Sequence, residues 1–477
     1  MHTGDLPLDE FERHASRLAA WIRSTLEHPE RVSVLSRAKP GDIRALLPAR
    51  APQQGESMDA ILADLDRVVM PGVTHWNHPG FLAYFANTAS VPGILGELVT
   101  AALNQVGILW RTGPAAAEIE QVACDWLRDA LGFPAGWFGM ITDTASISTM
   151  YALAAARERD PALAIRQRGM AGRSDLPRLR VYCSEHAHSS VDKACIALGL
   201  GLENVIRVAT DESYRLRPEM LARVIAADRS QGFRPLAVVA TAGTTSTTSV
   251  DPIAAIAQLC ARESLWLHVD AAYGGAMGLL PEARELFAGI EQADSVVVNA
   301  HKWLFTPMDC SVLWTKHPRV FRRTFALTPS YLETTDGEQA LNFSDYGVQL
   351  GRRFRALKLW FVMRAFGVEG MAARVREHVR LAQVVAGWVT ATPEWELCAP
   401  TPMSVVCFRH MPPGVTDESE LEAHNALILE KVNASGEVFL SHTKLGQRYV
   451  LRIAIGNLRT EERHLARAWE LLGEAAG

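Results

Sequence analysis

The sequence predicts an α/β protein with a mostly parallel sheet covered by helices on both faces, an N-terminal helical arm and a small C-terminal α+β domain. Between about residues 135 and 320, continuous Val, Ile and Leu runs alternate with helical segments, as in buried parallel sheets. Near residue 375 this rhythm changes, and an arginine-rich helix leads into further strands. We therefore expect an arm over residues 1–80, a large domain over 81–375 and a small domain over 376–477.

The first predicted element is an amphipathic helix over residues 8–26. Its apolar residues recur at three- and four-residue spacing: Leu8, Phe11, Ala15, Leu18, Ile22 and Leu26. Such a stripe needs a surface to bury against, and for this N-terminal arm we expect that surface to belong to another subunit. Residues 38–57 are rich in Pro, Gly and Ala and predict a connector with one short helical turn.

Six strands are predicted in the large domain. They are LRVYCS (179–184), NVIRVA (204–209), PLAVVATAG (235–243), LWLHVDA (265–271), DSVVVNA (294–300) and CSVLWTK (310–316). Residues 217–230 and 251–264 between them predict helices. In the C-terminal domain, residues 402–410 and 447–456 predict strands, and residues 460–477 predict a helix capped by Thr460.

The composition excludes several classes of partner. The 477 residues are 48% hydrophobic and 21% charged with a net charge of −5, and no long basic block points to nucleic acid or an anionic membrane. No apolar run approaches about 18 residues, and the N-terminal residues lack signal-peptide features, so we expect a cytoplasmic protein with a small-molecule partner. Seven cysteines without a CxxC pair predict reduced thiols rather than disulfides or structural zinc.

Two ionisable residues follow two of the predicted strands. Lys302 comes after VVVNAH and Asp270 ends LWLHV, and ligands bind at the carboxyl ends of strands in open α/β sheets. An amine that forms an imine with an aldehyde and a carboxylate that keeps a pyridine nitrogen protonated are what pyridoxal phosphate requires. Thr144, Ala145 and Ser146, at the start of a predicted helix, suit its phosphate. Taken singly, these residues are equally typical of a solvated loop or a helix cap.

A pair of histidines leaves a second interpretation open. His186 and His188 on an extended segment are compatible with a metal site that has His268 or Asp270 as further ligands. Such a site accounts neither for Lys302 nor for the hydroxyl-rich helix start. A pyridoxal phosphate site needs only one histidine, stacked on the cofactor ring, and we therefore expect no metal.

Five segments resemble one enzyme family. They are MPGVTHWNHPGF (70–81), AHSSVDKA (187–194), HVDAAYGG (268–275), ADSVVVNAHKW (293–303) and LGRRFRALKLWF (350–361). In this order they are similar to the group II pyridoxal-phosphate decarboxylases, and most similar to bacterial aromatic-L-amino-acid (DOPA, tyrosine or tryptophan) decarboxylases. The resemblance runs from about residue 8 to 465. It implies fold type I with a seven-stranded sheet, and a homodimer with active sites at the subunit interface.

The resemblance also implies roles for individual residues. Lys302 would bind the cofactor aldehyde and Asp270 the pyridine nitrogen, while His188 would stack on one ring face. The other implied cofactor contacts are Ala272, Thr144, Ala145, Ser146, Thr245, Asn299 and His301. Tyr331, in the lid-like stretch FALTPSYLETTDGEQ (325–339), matches the tyrosine that protonates the substrate carbon after carbon dioxide leaves.

The implied substrate is an aromatic L-amino acid. Its pocket, formed partly by the other subunit, would be lined by Trp76, Tyr84, Phe85, Asn87, Val106, Ile108 and Gly351. Gly351 leaves room for a large ring where histidine decarboxylases tend to have serine, whereas Ala86, Asn87 and Ile108 depart from the animal members, so catechol recognition is not implied. The alternatives are an aromatic aldehyde synthase, a decarboxylase of histidine or an acidic amino acid, a metal-dependent hydrolase and a non-catalytic scaffold.

Overall fold

The structure is a computed structural model that describes residues 4–327 and 340–477. Tyr331 and most of the predicted lid therefore lie outside the described residues. The chain begins with helix α1 (Leu8–Glu27), which matches the predicted amphipathic helix, followed by the short α2 (Asp42–Ala45) and α3 (Met58–Asp64). Within the predicted connector, α2 is the one short helical turn that its composition indicated.

A seven-stranded sheet forms the centre of the molecule. Its strands are β1 (Phe138–Thr142), β2 (Leu179–Ser184), β3 (Val205–Val208), β4 (Arg234–Thr241), β5 (Trp266–Asp270), β6 (Ser295–Asn299) and β7 (Ser311–Thr315). They lie in the order β1-β7-β6-β5-β4-β2-β3. The five strands from β6 to β3 are parallel, whereas β7 runs antiparallel to both β1 and β6. The predicted mostly parallel seven-stranded sheet is confirmed.

Strand β1 was missed by the sequence patterns. It is only five residues long and contains Gly139, so it lacks the continuous branched run of its neighbours. The glycine is required by packing, because a Cβ at this position would lie 2.8 Å from Nε1 of Trp314 on the adjacent strand. Gly139 therefore weakens the strand pattern in the sequence and also allows β1 to pack against its neighbours.

Helices cover both faces of the sheet. In chain order they are α4 (Val91–Leu103), α5 (Pro114–Ala130), α6 (Ala145–Glu158), α7 (Ile165–Arg168), α8 (Ser190–Ala197), α9 (Pro218–Ser230), α10 (Ile253–Glu263) and α11 (Pro318–Phe325). Successive strand residues point to opposite faces, so Leu267 and Val269 of β5 join the core beneath α10 while Trp266 joins the core that contains α6 and α8. Both faces are buried, which explains the near-continuous apolar strands.

The chain enters the small domain through α12 (Ala356–Ala391), which changes direction at Gly367, where φ is 64°. The end of the strand–helix alternation, predicted near residue 375, thus falls inside α12. A second sheet follows, formed by β8 (Trp395–Leu397), β9 (Val405–His410), β10 (Ser441–Leu445) and β11 (Arg448–Ala454) in the antiparallel order β10-β11-β9-β8. Helices α13 (Glu418–Ala434) and α14 (Glu462–Ala476) pack against it.

The cap of the last helix differs from the prediction. Glu461, and not Thr460, occupies the N-cap position, and it forms a reciprocal capping box with His464. The Thr460 hydroxyl instead donates a hydrogen bond to the carbonyl of Pro79 at 2.7 Å. The Thr460 hydroxyl is thus used in a tertiary hydrogen bond and not in the helix cap that the local pattern predicted. Among the described residues, no helix combines the length and apolar character needed to cross a membrane.

Candidate active site

A cavity of about 170 Å³ lies at the carboxyl ends of β4, β5 and β6. Every residue predicted to contact the cofactor lines it: Lys302, Asp270, His188, Ala272, Thr144, Ala145, Ser146, Thr245, Asn299 and His301. Phe85, Thr241, Gly243 and Tyr273 complete the lining. The parallel strands and the start of α6 thus bring together side chains from Thr144 to Lys302, which are 158 residues apart in the sequence.

Asp270 and Lys302 stand at the ends of adjacent strands. Asp270 is 6% exposed, and its Oδ1 accepts a hydrogen bond from the backbone N–H of Ala272 at 3.0 Å. No other hydrogen bond reaches this carboxylate from the described residues, so its second oxygen is available to a ligand. The N–H of Lys302 donates to the carbonyl of Asn299 at 3.0 Å, and this turn returns the lysine to the cavity after β6 ends.

The environment of Lys302 lowers the pKa of its amine. Burial lowers the pKa of the ammonium below its ordinary value of 10.5, the Asp270 carboxylate opposes this shift, and the Arg452 guanidinium adds to it. A neutral amine is the form that reacts with an aldehyde. The cavity therefore both positions Lys302 and raises the fraction of its amine in the reactive neutral form.

The opposite end of the cavity is built for an anion. The first residues of α6 leave backbone N–H groups without helical partners, and the Thr144 side chain makes no capping hydrogen bond with them. Asn299 is 4% exposed and its Oδ1 has no partner among the described residues. His301 accepts a hydrogen bond at Nδ1 from the N–H of Cys310 at 2.9 Å, and burial lowers its pKa to about 4, so its Nε2 carries the proton of a neutral ring.

The two histidines of the 186–188 segment lie in different places. His188 is at the rim of the cavity, where its Nδ1 accepts a hydrogen bond from the N–H of Ser190 at 3.1 Å and desolvation lowers its pKa. His186 packs edge-on against Tyr214, with ring centroids 5.3 Å apart. The described part of the chain contains no group of three or more His, Cys, Asp or Glu side chains that could hold a metal ion. The ligands that the metal interpretation requires are thus not assembled there.

A larger cleft of about 680 Å³ adjoins the first cavity, with Lys302, His188, His301, Phe85 and Thr245 lining both. Of the residues predicted to surround the substrate side chain, Trp76, Tyr84, Phe85 and Asn87 line this cleft. Ser246, Met308, Ser441, His442, Thr443 and Arg452 line it as well and were not predicted. The cleft therefore combines aromatic walls with a polar edge supplied by the small domain.

Val106, Ile108 and Gly351 do not line this cleft. They lie together on another part of the surface, where Val106 bridges to Arg353 and the N–H of Gly107 donates to the carbonyl of Arg352 at 2.8 Å. Val106 is 47% exposed. Their place in a substrate pocket stays a prediction that requires a second subunit.

Arg452 is the functional candidate that sequence reasoning missed. Its Nε donates to the Ser246 carbonyl at 3.0 Å and its Nη1 to the Tyr84 carbonyl at 2.5 Å, whereas its Nη2 is buried without a partner among the described residues. Arg452 and Lys302 both lie over the Phe85 ring, 4.9 and 5.0 Å from its centroid. An arginine within the apolar strand YVLRIAI was the signal that could have identified it.

Comparisons with known proteins agree with this geometry. Residues 40–411 match the family model described as the pyridoxal-dependent decarboxylase conserved domain. The chain belongs to this family. It is 37% identical to tryptophan decarboxylase 2 of Oryza sativa subsp. japonica, covering 98% of this chain and 95% of the relative, and 36% identical to phenylacetaldehyde synthase of a Rosa hybrid cultivar, covering 99% and 95%.

Solved structures show the same relationship. Catharanthus roseus tryptophan decarboxylase in complex with L-tryptophan superposes with a TM-score of 0.92 at 34% identity over 99% of both chains. Oryza sativa TDC with PLP and tryptamine gives a TM-score of 0.95 at 34% identity over 100% of this chain and 99% of that one. The predicted family and fold type are confirmed. The relatives named here are plant proteins, whereas the sequence segments had indicated bacterial members.

The cavity of this pyridoxal-dependent decarboxylase fits its cofactor, pyridoxal phosphate. The free oxygen of Asp270 suits a protonated pyridine nitrogen, and the Lys302 amine suits the aldehyde. The start of α6 and the Nε2–H of His301 suit the phosphate, because both can offer N–H groups to its oxygens. The residues that hold each part of the cofactor are thus present in one cavity.

Proposed function

We propose that this enzyme decarboxylates aromatic L-amino acids to arylalkylamines and carbon dioxide. The observation that carries the proposal is the continuity of two spaces: the cavity that holds Lys302 and Asp270 opens directly into a cleft walled by Trp76, Tyr84 and Phe85. A substrate amino group at Lys302 therefore places its side chain among aromatic rings. The relatives named as tryptophan and tyrosine decarboxylases support the same substrate class.

The cofactor supplies a sink for the electron pair that is released when the bond between Cα and the carboxylate breaks. Asp270, whose second oxygen is free, would hold a proton on the pyridine nitrogen and so make this sink effective. His188 and Ala272 both line the cavity, and by the family resemblance they would cover opposite faces of the cofactor ring. Burial lowers the pKa of Lys302, which increases the fraction of neutral amine that can react with the cofactor aldehyde.

Arg452 orients the substrate carboxylate. Its unpartnered Nη2 is the buried donor of the cleft, and no described acidic side chain lines the cleft to neutralise it. A carboxylate held on the guanidinium has a fixed direction, and only a bond perpendicular to the cofactor plane breaks readily. Binding of the carboxylate thus selects which bond of Cα is broken.

Tyr331 completes the reaction in this proposal by donating a proton to Cα. It lies outside the described residues, and its role rests on the resemblance of residues 325–339 to the lid of decarboxylases. A proton delivered to Cα gives the amine. The relatives named phenylacetaldehyde synthase make aldehyde production the second candidate, and release of ammonia and hydrogen peroxide distinguishes it.

The enzyme is proposed to act as a homodimer. Helix α4 exposes an apolar stripe formed by Val91, Leu95, Leu98, Val99 and Leu103, each between 37% and 60% exposed. A stripe of this kind on a globular protein marks an interface. A second copy that covers it would also bury Val106 and supply the predicted pocket residues Val106, Ile108 and Gly351 to the neighbouring site. Analytical ultracentrifugation of Leu98→Glu, compared with the wild type, tests this assembly.

The activity is tested with purified enzyme and pyridoxal phosphate against tryptophan, tyrosine, DOPA, 5-hydroxytryptophan, phenylalanine, histidine and glutamate. We expect an amine and an equal amount of carbon dioxide from at least one aromatic substrate, detected by mass spectrometry. Aldehyde with peroxide would replace this function by the second candidate. Turnover of histidine or glutamate alone would contradict the aromatic assignment.

A further inference from the structure

A chain of buried polar side chains lies behind the cofactor cavity. His268 precedes Asp270 by two residues on β5, so both side chains point to the same face of the sheet. Its Nδ1 lies 2.9 Å from the Ser295 hydroxyl and its Nε2 lies 3.4 Å from the Thr149 hydroxyl. The Ser295 oxygen also accepts a hydrogen bond from Nε1 of Trp266 at 3.0 Å. All four side chains are buried.

His268 and its two partners lie on three elements that carry predicted cofactor contacts. Thr149 is on α6, whose first turn forms the anion end of the cavity. Ser295 begins β6, which ends at Asn299 and leads to Lys302. His268 itself lies on β5, which ends at Asp270. One imidazole therefore joins the phosphate end, the lysine end and the carboxylate of the site.

The polarity of this junction is not needed for packing. The surrounding core on this face is apolar, and it includes Val239, Val297 and Leu153. Burying an imidazole and two hydroxyls there is unfavourable unless every polar atom is paired. Both hydroxyls can donate or accept, so each ring nitrogen is satisfied in either neutral tautomer, and burial lowers the pKa of His268 to about 4. The result is a neutral, directional connection that an apolar side chain cannot provide.

We propose that His268 is a positioning residue that fixes the distance between the start of α6 and Asp270, and thereby the affinity of the site for pyridoxal phosphate. The proposal rests on the proposed function, because it takes this cavity as the cofactor site. The cofactor is a rigid molecule held at its phosphate and at its pyridine nitrogen at once. If the two ends of the site are free to shift, one contact is made at the expense of the other.

The test uses the apoenzyme titrated with two ligands, pyridoxal phosphate and pyridoxal, which lacks the phosphate. For His268→Leu we expect the affinity for pyridoxal phosphate to fall about tenfold, as for the loss of one or two buried hydrogen bonds, and the affinity for pyridoxal to change less than about threefold. His410→Leu is the matched control, because His410 is also buried but lies on β9 of the small domain. Its affinities for both ligands should equal those of the wild type.

Thr149→Val provides a second variant that preserves volume if His268→Leu does not fold. It removes only the hydroxyl at Nε2, and we expect the same selective loss of pyridoxal phosphate affinity, reduced to about threefold. Equal affinity of the variants and the wild type for both ligands would overturn the proposal, as would a parallel fall for both ligands, which would assign His268 to general support of the fold. Failure of the wild type itself to bind pyridoxal phosphate would overturn the cofactor assignment together with this proposal.

Discussion

Arg452 offers the sharpest test of how the substrate is held. Its Nη2 is buried and unpartnered, whereas Nε and Nη1 are anchored on the carbonyls of Ser246 and Tyr84, so the free nitrogen is fixed in direction. A charge-assisted hydrogen bond to the substrate carboxylate contributes about 1.5–3 kcal/mol. Loss of this bond in Arg452→Met should therefore lower kcat/KM for the preferred aromatic amino acid by about tenfold to a hundredfold.

The assay separates substrate binding from structural damage. The product amine lacks the carboxylate, so its inhibition constant should change less than about threefold in Arg452→Met, while kcat/KM measured by amine formation falls. Arg452→Lys keeps the positive charge but loses the planar guanidinium, so its kcat/KM should lie between the values of the wild type and Arg452→Met.

Arg448→Met on the same strand is the matched control for Arg452→Met, since Arg448 contacts Glu396 and the Tyr214 hydroxyl rather than the cleft. An equal loss of amine binding, or an unchanged kcat/KM, would show that Arg452 does not hold the carboxylate.

Three further predictions concern Lys302 and Tyr331. Lys302→Ala should lose both turnover and the absorbance band at about 420 nm that the lysine adduct of the cofactor gives, and a retained band would contradict its assignment. Because the pKa of Lys302 lies below 10.5, the rate of cofactor incorporation into the apoenzyme should rise with pH and level off before an ordinary lysine would titrate; a rise that continues through pH 10.5 would contradict the shift. Tyr331→Phe should divert product from amine to aldehyde, measured with peroxide release, and an unchanged amine yield would remove the tyrosine from its role.

The cofactor cavity could be predicted from the sequence because its residues follow local signals. Asp270 ends an apolar strand, Lys302 follows the end of another by three residues, and Ala145 begins a helix, so strand order and helix position alone bring them to one edge. The family resemblance added the individual contacts, and all of them line the cavity. Local signals fail at Thr460: its hydroxyl donates to the carbonyl of Pro79, which is far away in the sequence, and does not cap the helix.

The substrate cleft could be predicted only in part, because it depends on contacts between distant parts of the chain. Arg452 reaches the Tyr84 carbonyl across 368 residues, and no local pattern relates β11 to that segment. Ser441 and His442 come from β10, an edge strand of the small sheet, where alternation indicates only which side chains share a face. The predicted place of Val106 and Ile108 in the substrate pocket depends on a second copy of the chain. Sequence patterns do not give the geometry of that assembly.

The cofactor site and the substrate cleft draw on different parts of the chain. The cofactor site is supplied by elements of the large sheet and is held together by buried contacts such as those of His268, so changes there affect every reaction that the cofactor supports. The cleft draws its lining from the segment around Tyr84, from the small domain and, as we propose, from a partner subunit. Residues that line only the cleft, such as Tyr84 and His442, can therefore change without disturbing the cofactor. Relatives named for tryptophan decarboxylation, tyrosine decarboxylation and phenylacetaldehyde synthesis are all 36–39% identical to this chain, which is what such a division of the site would produce.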